Sequence, residues 1–274
     1  MSIVEDAIAR TLPEFVAAEF PGGLPALPAP PVLAAVGTLG ARALASPLLG
    51  ERLAAAGVAP ADSRAFADPT ALLGDPAWAL ALVLSPHKQT LPPLCATLAP
   101  AAAATGVADT LLRAQDGVIG VNTNVYAAAA ALCQLVGSTP PTRALVAGTG
   151  ASARSVVVAL ARCFPEAEVG VVGRAAERAQ AVVGALGLGR VVAEPRAFAP
   201  ELVVNTTTVG ETDDATPPAF DLAAAFAPGV RYFDLNHRTS ALQTQALGAG
   251  CVATSGVLMQ LVTNALRVAL LRGN

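Results

Sequence analysis

The chain has 274 residues, 54% of them hydrophobic, with 24 Gly, 22 Pro and a formal charge of −3. That length carries one large domain or two modest ones with real cores, and the composition excludes a disordered tail. The acidic balance and the lack of any basic run remove the electrostatic footprint of a nucleic-acid binder, so no nucleic acid is expected as partner.

Residues 1–20 read as one amphipathic helix, followed by "PGGLPALPAPP", whose Pro and Gly density marks a linker or extended strap. The opening "MSIVEDAIARTLPEFVAAEF" carries acids early and never reaches an unbroken apolar run, so it reads as neither signal peptide nor membrane span. Later Ala-rich runs are broken by Arg, Gln, Gly and Pro, which suits buried helices; no membrane association is expected, and the cytoplasm is the expected location. From Val32 to about Leu135 short apolar runs mix with helical stretches. From Arg143 the rhythm is regular: strand "RALVAGTG", helix "ASARSVVVALARCF", strand "AEVGVVGR", helix "AAERAQAVVGAL", then "RVVA", "ELVVNTTT", "VRYFDLN", helix "SALQTQALGAG" and strand "CVATS". Continuous Val/Ile/Leu strands alternating with helices predict an α/β fold whose doubly wound parallel sheet is covered on both faces. The tail "GVLMQLVTNALRVALLRG" reads as a closing helix that packs back on the first domain.

Of the 17 Lys and Arg residues one alone, Lys88, is Lys. It follows the strand-like run "ALVL" and a Ser-Pro, at the kind of strand end where α/β enzymes place chemistry. A desolvated ammonium can give up a proton and a guanidinium effectively cannot, so Lys88 suits proton transfer to or from a reacting oxygen. Downstream, "GVADTLLRAQDGVIGVNTN" puts Asp109, Thr110, Asn122, Thr123 and Asn124 on the ends of a hairpin entering a helix. Taken alone, such short polar residues read as caps.

Gly148, Gly150 and the helix opening at Ala151 set free backbone N–H groups and a positive helix end where a pyrophosphate would sit, although the third glycine of G-x-G-x-x-G is Ala153 here. After the next strand comes "GRAAER" in place of a ribose-binding carboxylate. Arg174 and Arg178 there suit a 2′-phosphate, which makes NADP the expected cofactor. Cys95, Cys133, Cys163 and Cys251 lack the paired spacing of zinc or redox motifs and read as small buried hydrophobes. The only histidines, His87 and His237, stand without a nearby acid pair, so no metal is expected.

Together these residues resemble the shikimate dehydrogenase family. In family order come "GTLGARALASPLLGERLAAAG" (early strand and Ser-x-Ser-Pro turn), "SPHKQT" (Pro-His-Lys), "GVADT" (Gly-Ala-Val-Asn-Thr) and "GVNTN" (Gly-x-Asn-Thr-Asp). "GTGASAR" (nucleotide loop), "GR" with Arg178, "VVNTTTVG" (Asn-Ala-Thr-x-x-Gly), "DLN" and "TSGVLM" follow. The resemblance implies a two-domain enzyme interconverting a ring ketone and its alcohol with NADP, at a site in the cleft between domains. The expected parts are an N-terminal helix and strap at 1–31, an α/β substrate domain at 32–125 plus 256–274, and a Rossmann-type NADP-binding domain at 126–255. It also implies that Gly148, Thr149, Gly150, Ala151, Ser152, Arg174, Arg178, Asn205, Thr206 and Thr207 hold the cofactor.

Carried over by position, Lys88 matches the family's catalytic lysine. The family's Asp ending Gly-x-Asn-Thr-Asp is Asn124 here and its Asn in Gly-Ala-Val-Asn-Thr is Asp109, so carboxylate and carboxamide trade places. The expectation is a catalytic set of Lys88, Asp109 and Asn124 in which Asp109 pairs with the lysine and orients the reacting hydroxyl. The substrate residues implied are Ser46, Leu44, Leu84, Thr110, Asn122, His237 and Thr263. Leu44 and Leu84 stand where the family has hydroxyls that hold the substrate carboxylate, which leaves a buried anion without those donors. The expected partner is a cyclic polyol or ring acid with altered acid recognition, and a homodimer is left open as the assembly. A second reading stands beside this one: a catalytically degenerate NADPH-binding protein acting as sensor or partner module.

Overall fold

The computed structural model describes residues 2–209 and 221–272, so Gly210, which closes "VVNTTTVG", lies outside them. The chain forms two compact units, Met1–Tyr126 with Leu261–Asn274 and Ala127–Gln260.

The first unit opens with α1 (Ile3–Glu19), started by the Ser2 side chain, which accepts from the Glu5 N–H. Then come β1 (Val32–Val36), α2 (Gly40–Leu44), α3 (Pro47–Ala55), β2 (Asp62–Phe66), α4 (Pro69–Gly74), β3 (Leu80–Val83), β4 (Thr97–Leu98), α5 (Pro100–Thr105), β5 (Thr110–Ala114), β6 (Gly117–Val121) and the start of α6 (Asn124–Val136). The strands form one sheet in the order β2-β1-β3-β5-β6-β4. β1 pairs in parallel with β2 and β3, whereas β3, β5 and β6 are antiparallel. The β5–β6 hairpin turns at Gln115 and Asp116, where Gly117 has φ +126, a conformation that costs glycine little. The single tryptophan, Trp78, is fully buried and donates its ring N–H to the Leu72 carbonyl at 2.8 Å, so its one polar atom is satisfied within the core.

The N-terminal helix, which the sequence sets apart with its strap, is built into this unit. Phe15 is fully buried and meets Tyr126 edge to face, with centroids 5.1 Å apart, a burial worth about 1.5–3 kcal/mol. At the helix end the buried Glu19 carboxylate accepts from the Ala101 N–H at the start of α5 and from the Tyr126 hydroxyl at 2.6 Å. Arg52 of α3 reaches Glu5 at 2.8 Å.

The second unit contains β7 (Arg143–Ala147), α7 (Ala151–Cys163), β8 (Glu168–Val172), α8 (Ala176–Leu186), β9 (Arg190–Val191), α9 (Pro195–Phe198), β10 (Leu202–Asn205), β11 (Arg231–Asp234), α10 (Ala241–Gly248), β12 (Val252–Ser255) and the start of α11 (Val257–Arg272). Its sheet runs β9-β8-β7-β10-β11-β12, all parallel, as the Val-rich runs predict. The strand order reverses between β7 and β10, and in such sheets ligands bind beyond the carboxyl ends of the strands at that point.

Cys251 is buried in the core as the sequence reading expects, whereas Cys133 and Cys163 depart from it. Cys133 on α6 is exposed, and its Sγ lies 3.2 Å from that of Cys163 on α7, so these two form a neighbouring thiol pair rather than buried filler. Thirty residues separate them, and only the packing of two helices brings them together. Among the described residues no helix is long and apolar enough to cross a membrane, and no group of three or more His, Cys, Asp or Glu could hold a metal ion.

Candidate active site

β3 delivers Lys88. Its last residue, Val83, donates its N–H to the Asp109 carbonyl, and Leu84 donates to Val36; the chain then turns through Ser85 and Pro86 into a short 3-10 turn, His87–Gln89. The Lys88 carbonyl accepts from the Ala108 N–H at 2.8 Å, which fixes the turn to the segment carrying Asp109.

Asp109 is 0% exposed, and both of its oxygens are engaged. Oδ1 accepts from the Thr123 N–H at 3.1 Å and the Thr110 hydroxyl at 2.8 Å, Oδ2 accepts from the Asn124 N–H at 2.8 Å, and the Thr123 hydroxyl lies 2.9 Å from each. A carboxylate remote in sequence thereby caps α6, satisfying orphan donors and complementing the positive helix end. α11 closes over the same point. The Thr263 hydroxyl donates to Asn124 Oδ1 at 3.3 Å; one turn later Arg267 donates from Nε to Thr110 Oγ1 at 2.9 Å and from Nη2 to the Asp109 carbonyl at 3.0 Å, with Nη2 4.0 Å from Asp109 Oδ1.

The charges here are unequal: two cations and one carboxylate. Burial holds the Lys88 ammonium below the ordinary lysine range even though the side chain keeps some contact with solvent; Asp109 opposes that shift and Arg267 adds to it. Burial lowers Arg267 in the same way, again opposed by Asp109. Arginine starts so high that it remains a cation, so the lysine is the group that yields its proton.

The structure thus joins Lys88, Asp109, Thr110, Asn124 and Thr263. Asn122, expected at the substrate, is fully buried and donates to the Thr105 hydroxyl at 2.9 Å, tying β6 to the end of α5. Leu44 ends α2, which packs against β1 and β3; Ser46 precedes α3 and its side chain makes no cap hydrogen bond; Leu84 follows β3, and all three are partly buried. His237 is exposed in the second unit, after β11. The sequence reading does not single out Arg267. Its signal is a cation in the apolar stretch "VTNALRVALL", four residues after Thr263 and so on the same helix face.

The second unit offers a different kind of site. Gly148, after β7, has φ +125, and a Cβ on it would collide with Thr206 Oγ1. Both the N–H and the hydroxyl of Thr206 donate to the Ala147 carbonyl, locking the turn after β7 to the end of β10 at the reversal of strand order. Gly150 starts α7 without a side-chain cap, and Thr149 sits so close to Gly173 that a Cβ there would meet its Cγ2 at 2.5 Å. The first turn of α7, which includes Ala151 and Ser152, is the kind of positive helix end that suits an anion. β8 ends at Val172 and is followed by Gly173 and Arg174 rather than a carboxylate; Arg174 and Arg178, the latter in the first turn of α8, are both exposed. This donor set fits a dinucleotide with a 2′-phosphate.

Asn205 is buried and internally engaged: Nδ2 donates to Asp234 Oδ1, and Oδ1 accepts from the Thr207 N–H and hydroxyl. Asp234 also accepts from the Tyr232 and Ser240 hydroxyls, and burial together with that carboxylate pushes the Tyr232 phenol above its usual range. Thr206 and Thr207 keep partly exposed edges.

Comparison with profiles of known protein families finds no match. The chain is 35% identical over 212 residues to shikimate dehydrogenase (NADP(+)) of Acidiphilium cryptum (strain JF-5), an alignment that covers 74% of this chain and 73% of that one. Its fold matches the crystal structure of shikimate dehydrogenase from Aquifex aeolicus with a TM-score of 0.75 at 21% identity, covering 85% of this chain and 89% of that one. Shikimate 5-dehydrogenase from Thermus thermophilus, in complex with NADP(H) and shikimate, matches with a TM-score of 0.74 at 25% identity over 88% and 93% of the two chains. Ordered motifs, the strand order of the second sheet and identity over most of both chains agree: the chain belongs to the shikimate dehydrogenase family.

Proposed function

We propose that this protein is an NADP-dependent oxidoreductase that interconverts a cyclic ketone and its alcohol, with Lys88 as the proton-transferring residue. The observation that carries the reading is the chain's only lysine, desolvated at the end of β3 and facing a site with a single carboxylate. When bound, NADP supplies the hydride acceptor, and NADPH the donor. In oxidation the neutral Lys88 amine takes the hydroxyl proton of the alcohol; in reduction its ammonium returns a proton to the carbonyl oxygen. A lysine held below its ordinary range gives up its proton more readily than a free one, which suits it to both directions.

Asp109 is a positioning residue in this reading, because its oxygens are spent on α6 and Thr110 and none is left for a substrate hydroxyl. Asn124, oriented by its own N–H to Asp109 and by Thr263, hydrogen-bonds the substrate. The first unit serves as substrate domain and the second as NADP-binding domain. Gly148–Ser152 would hold the pyrophosphate, and Arg174 and Arg178 the 2′-phosphate. Leu44 and Leu84 favour a ring polyol whose acid group is smaller, displaced or missing over shikimate itself, because leucines offer a carboxylate no donors. Cytoplasmic location and a homodimer belong to the same reading, and fractionation and sedimentation check them.

The test is absorbance of NADPH formed from NADP with shikimate, quinate, aminoshikimate and uncharged cyclic polyols, with Lys88→Ala as control. Turnover that falls about 10²–10⁴-fold in the control supports the reading. Silence across the panel with tight NADPH binding favours a non-catalytic NADPH-binding module.

A further inference from the structure

We propose that Arg267 is a positioning residue of the reaction: it takes up the Asp109 carboxylate, keeps it from closing an ion pair with Lys88, and so leaves the lysine free to exchange its proton with substrate. The inference rests on the role proposed for Lys88 and extends it to a residue on the closing helix.

The geometry is specific. Arg267 is 7% exposed, and two of its donors are committed, Nε to Thr110 Oγ1 and Nη2 to the Asp109 carbonyl. Thr110 passes its own hydroxyl proton to Asp109 Oδ1, so guanidinium, hydroxyl and carboxylate form a continuous relay, with Nη2 4.0 Å from Oδ1. The other carboxylate directions go to Thr123 and the start of α6. Every oxygen of Asp109 is therefore held by a partner other than Lys88, while its charge is shared with a cation that cannot deprotonate.

The alternative follows from electrostatics. A buried carboxylate with one neighbouring ammonium and no guanidinium would stabilise the charged lysine, and a lysine paired in that way is a poor base near neutral pH. Arg267 prevents this twice, by offsetting the carboxylate's charge from 4.0 Å and through Thr110, and by repelling the ammonium. The charged groups facing Lys88 are Asp109, from the segment before β5, and Arg267, from α11. His87 adjoins it on its own turn, and the neutral Asn124 and Thr263 complete the surroundings.

The chain's single lysine makes the experiment direct. Lysine labelled with ¹³C at Cε gives one side-chain resonance, whose pH titration reads Lys88 without recourse to activity. In the unaltered chain the midpoint is expected below that of free lysine. Arg267→Met and Arg267→Gln are expected to raise it by about 1 pH unit. Gln keeps a donor for Thr110 without the charge, which covers the case in which Met prevents folding. The acid limb of kcat/KM for alcohol oxidation is expected to move up with the resonance, since it reports the amine form. A midpoint at the free-lysine value in the unaltered chain, or one unmoved in the charge-removing variants, overturns the inference. Turnover that persists in Lys88→Ala overturns the role given to the lysine and leaves the resonance to decide Arg267 by itself.

Discussion

The two units build their sites from opposite materials. In the first, side chains from β5, α6 and α11 spend nearly all their polar atoms on one another: Asp109 on Thr110, Thr123 and Asn124, Arg267 on Thr110 and the Asp109 carbonyl, Thr263 on Asn124. In the second, the turn after β7 presents backbone amides, and its glycines matter for the side chains they lack. Chemistry that moves a proton needs a titratable group with a tuned environment, whereas holding a phosphate needs only N–H groups and close approach. The first site should therefore be sensitive to charge, the second to volume.

The largest effect is expected for Asp109→Ala, which strips the cap from α6 and leaves Arg267 buried without its carboxylate. A loss of about 3–5 kcal/mol in denaturant unfolding is expected for the first unit. Preserved NADPH binding by the second would sharpen the contrast, whereas an equal loss in both would break it. Next comes Gly148→Ala. The φ of +125 and the contact with Thr206 Oγ1 predict a cost of about 1–3 kcal/mol in stability and weaker NADPH binding by fluorescence titration, with the Lys88 titration unchanged.

Arg174→Ala combined with Arg178→Ala is expected to raise KM for NADP about tenfold while leaving KM for NAD in place, as loss of charge-assisted hydrogen bonds to a 2′-phosphate requires. An equal rise for both cofactors would move the phosphate elsewhere. The smallest effect is on substrate choice: Leu84→Thr restores a hydroxyl and should shift kcat/KM a few-fold toward ring acids over uncharged polyols, an amount set by one hydrogen bond of about 1 kcal/mol. In the thiols, burial pushes Cys95 up to about 11, so at pH 8 a maleimide should label the exposed Cys133 first and Cys95 slowly.

The parallel sheet of the second unit was legible because a strand buried on both faces must be apolar throughout, and runs such as "RALVA", "EVGVV" and "LVVN" show that directly. The positions of the glycine turn after β7 and of the arginines after β8 were legible for the same reason: each lies within a few residues of its own strand. The hairpin at "QDG" was equally local. Asp109 was less so. As a sequence element it reads as a cap or, by resemblance, as the partner of Lys88, and only the fold shows which atoms reach it. Nothing in the amphipathic helix read at residues 1–20 marks Glu19, yet it stands buried against α5 and Tyr126, 82 and 107 residues away.

By itself, then, the sequence determined the α/β class, the order of the second sheet's elements, the glycine turn after β7 and the singular lysine, since each depends on local pattern or on residue chemistry. Tertiary structure alone decided what surrounds that lysine. Arg267 lies 158 residues from Asp109 along the chain, and Cys133 meets Cys163 only where two helices pack. Electrostatic tuning falls off with distance through space and is indifferent to distance along the chain, so the partners that set a proton's affinity had to await the fold.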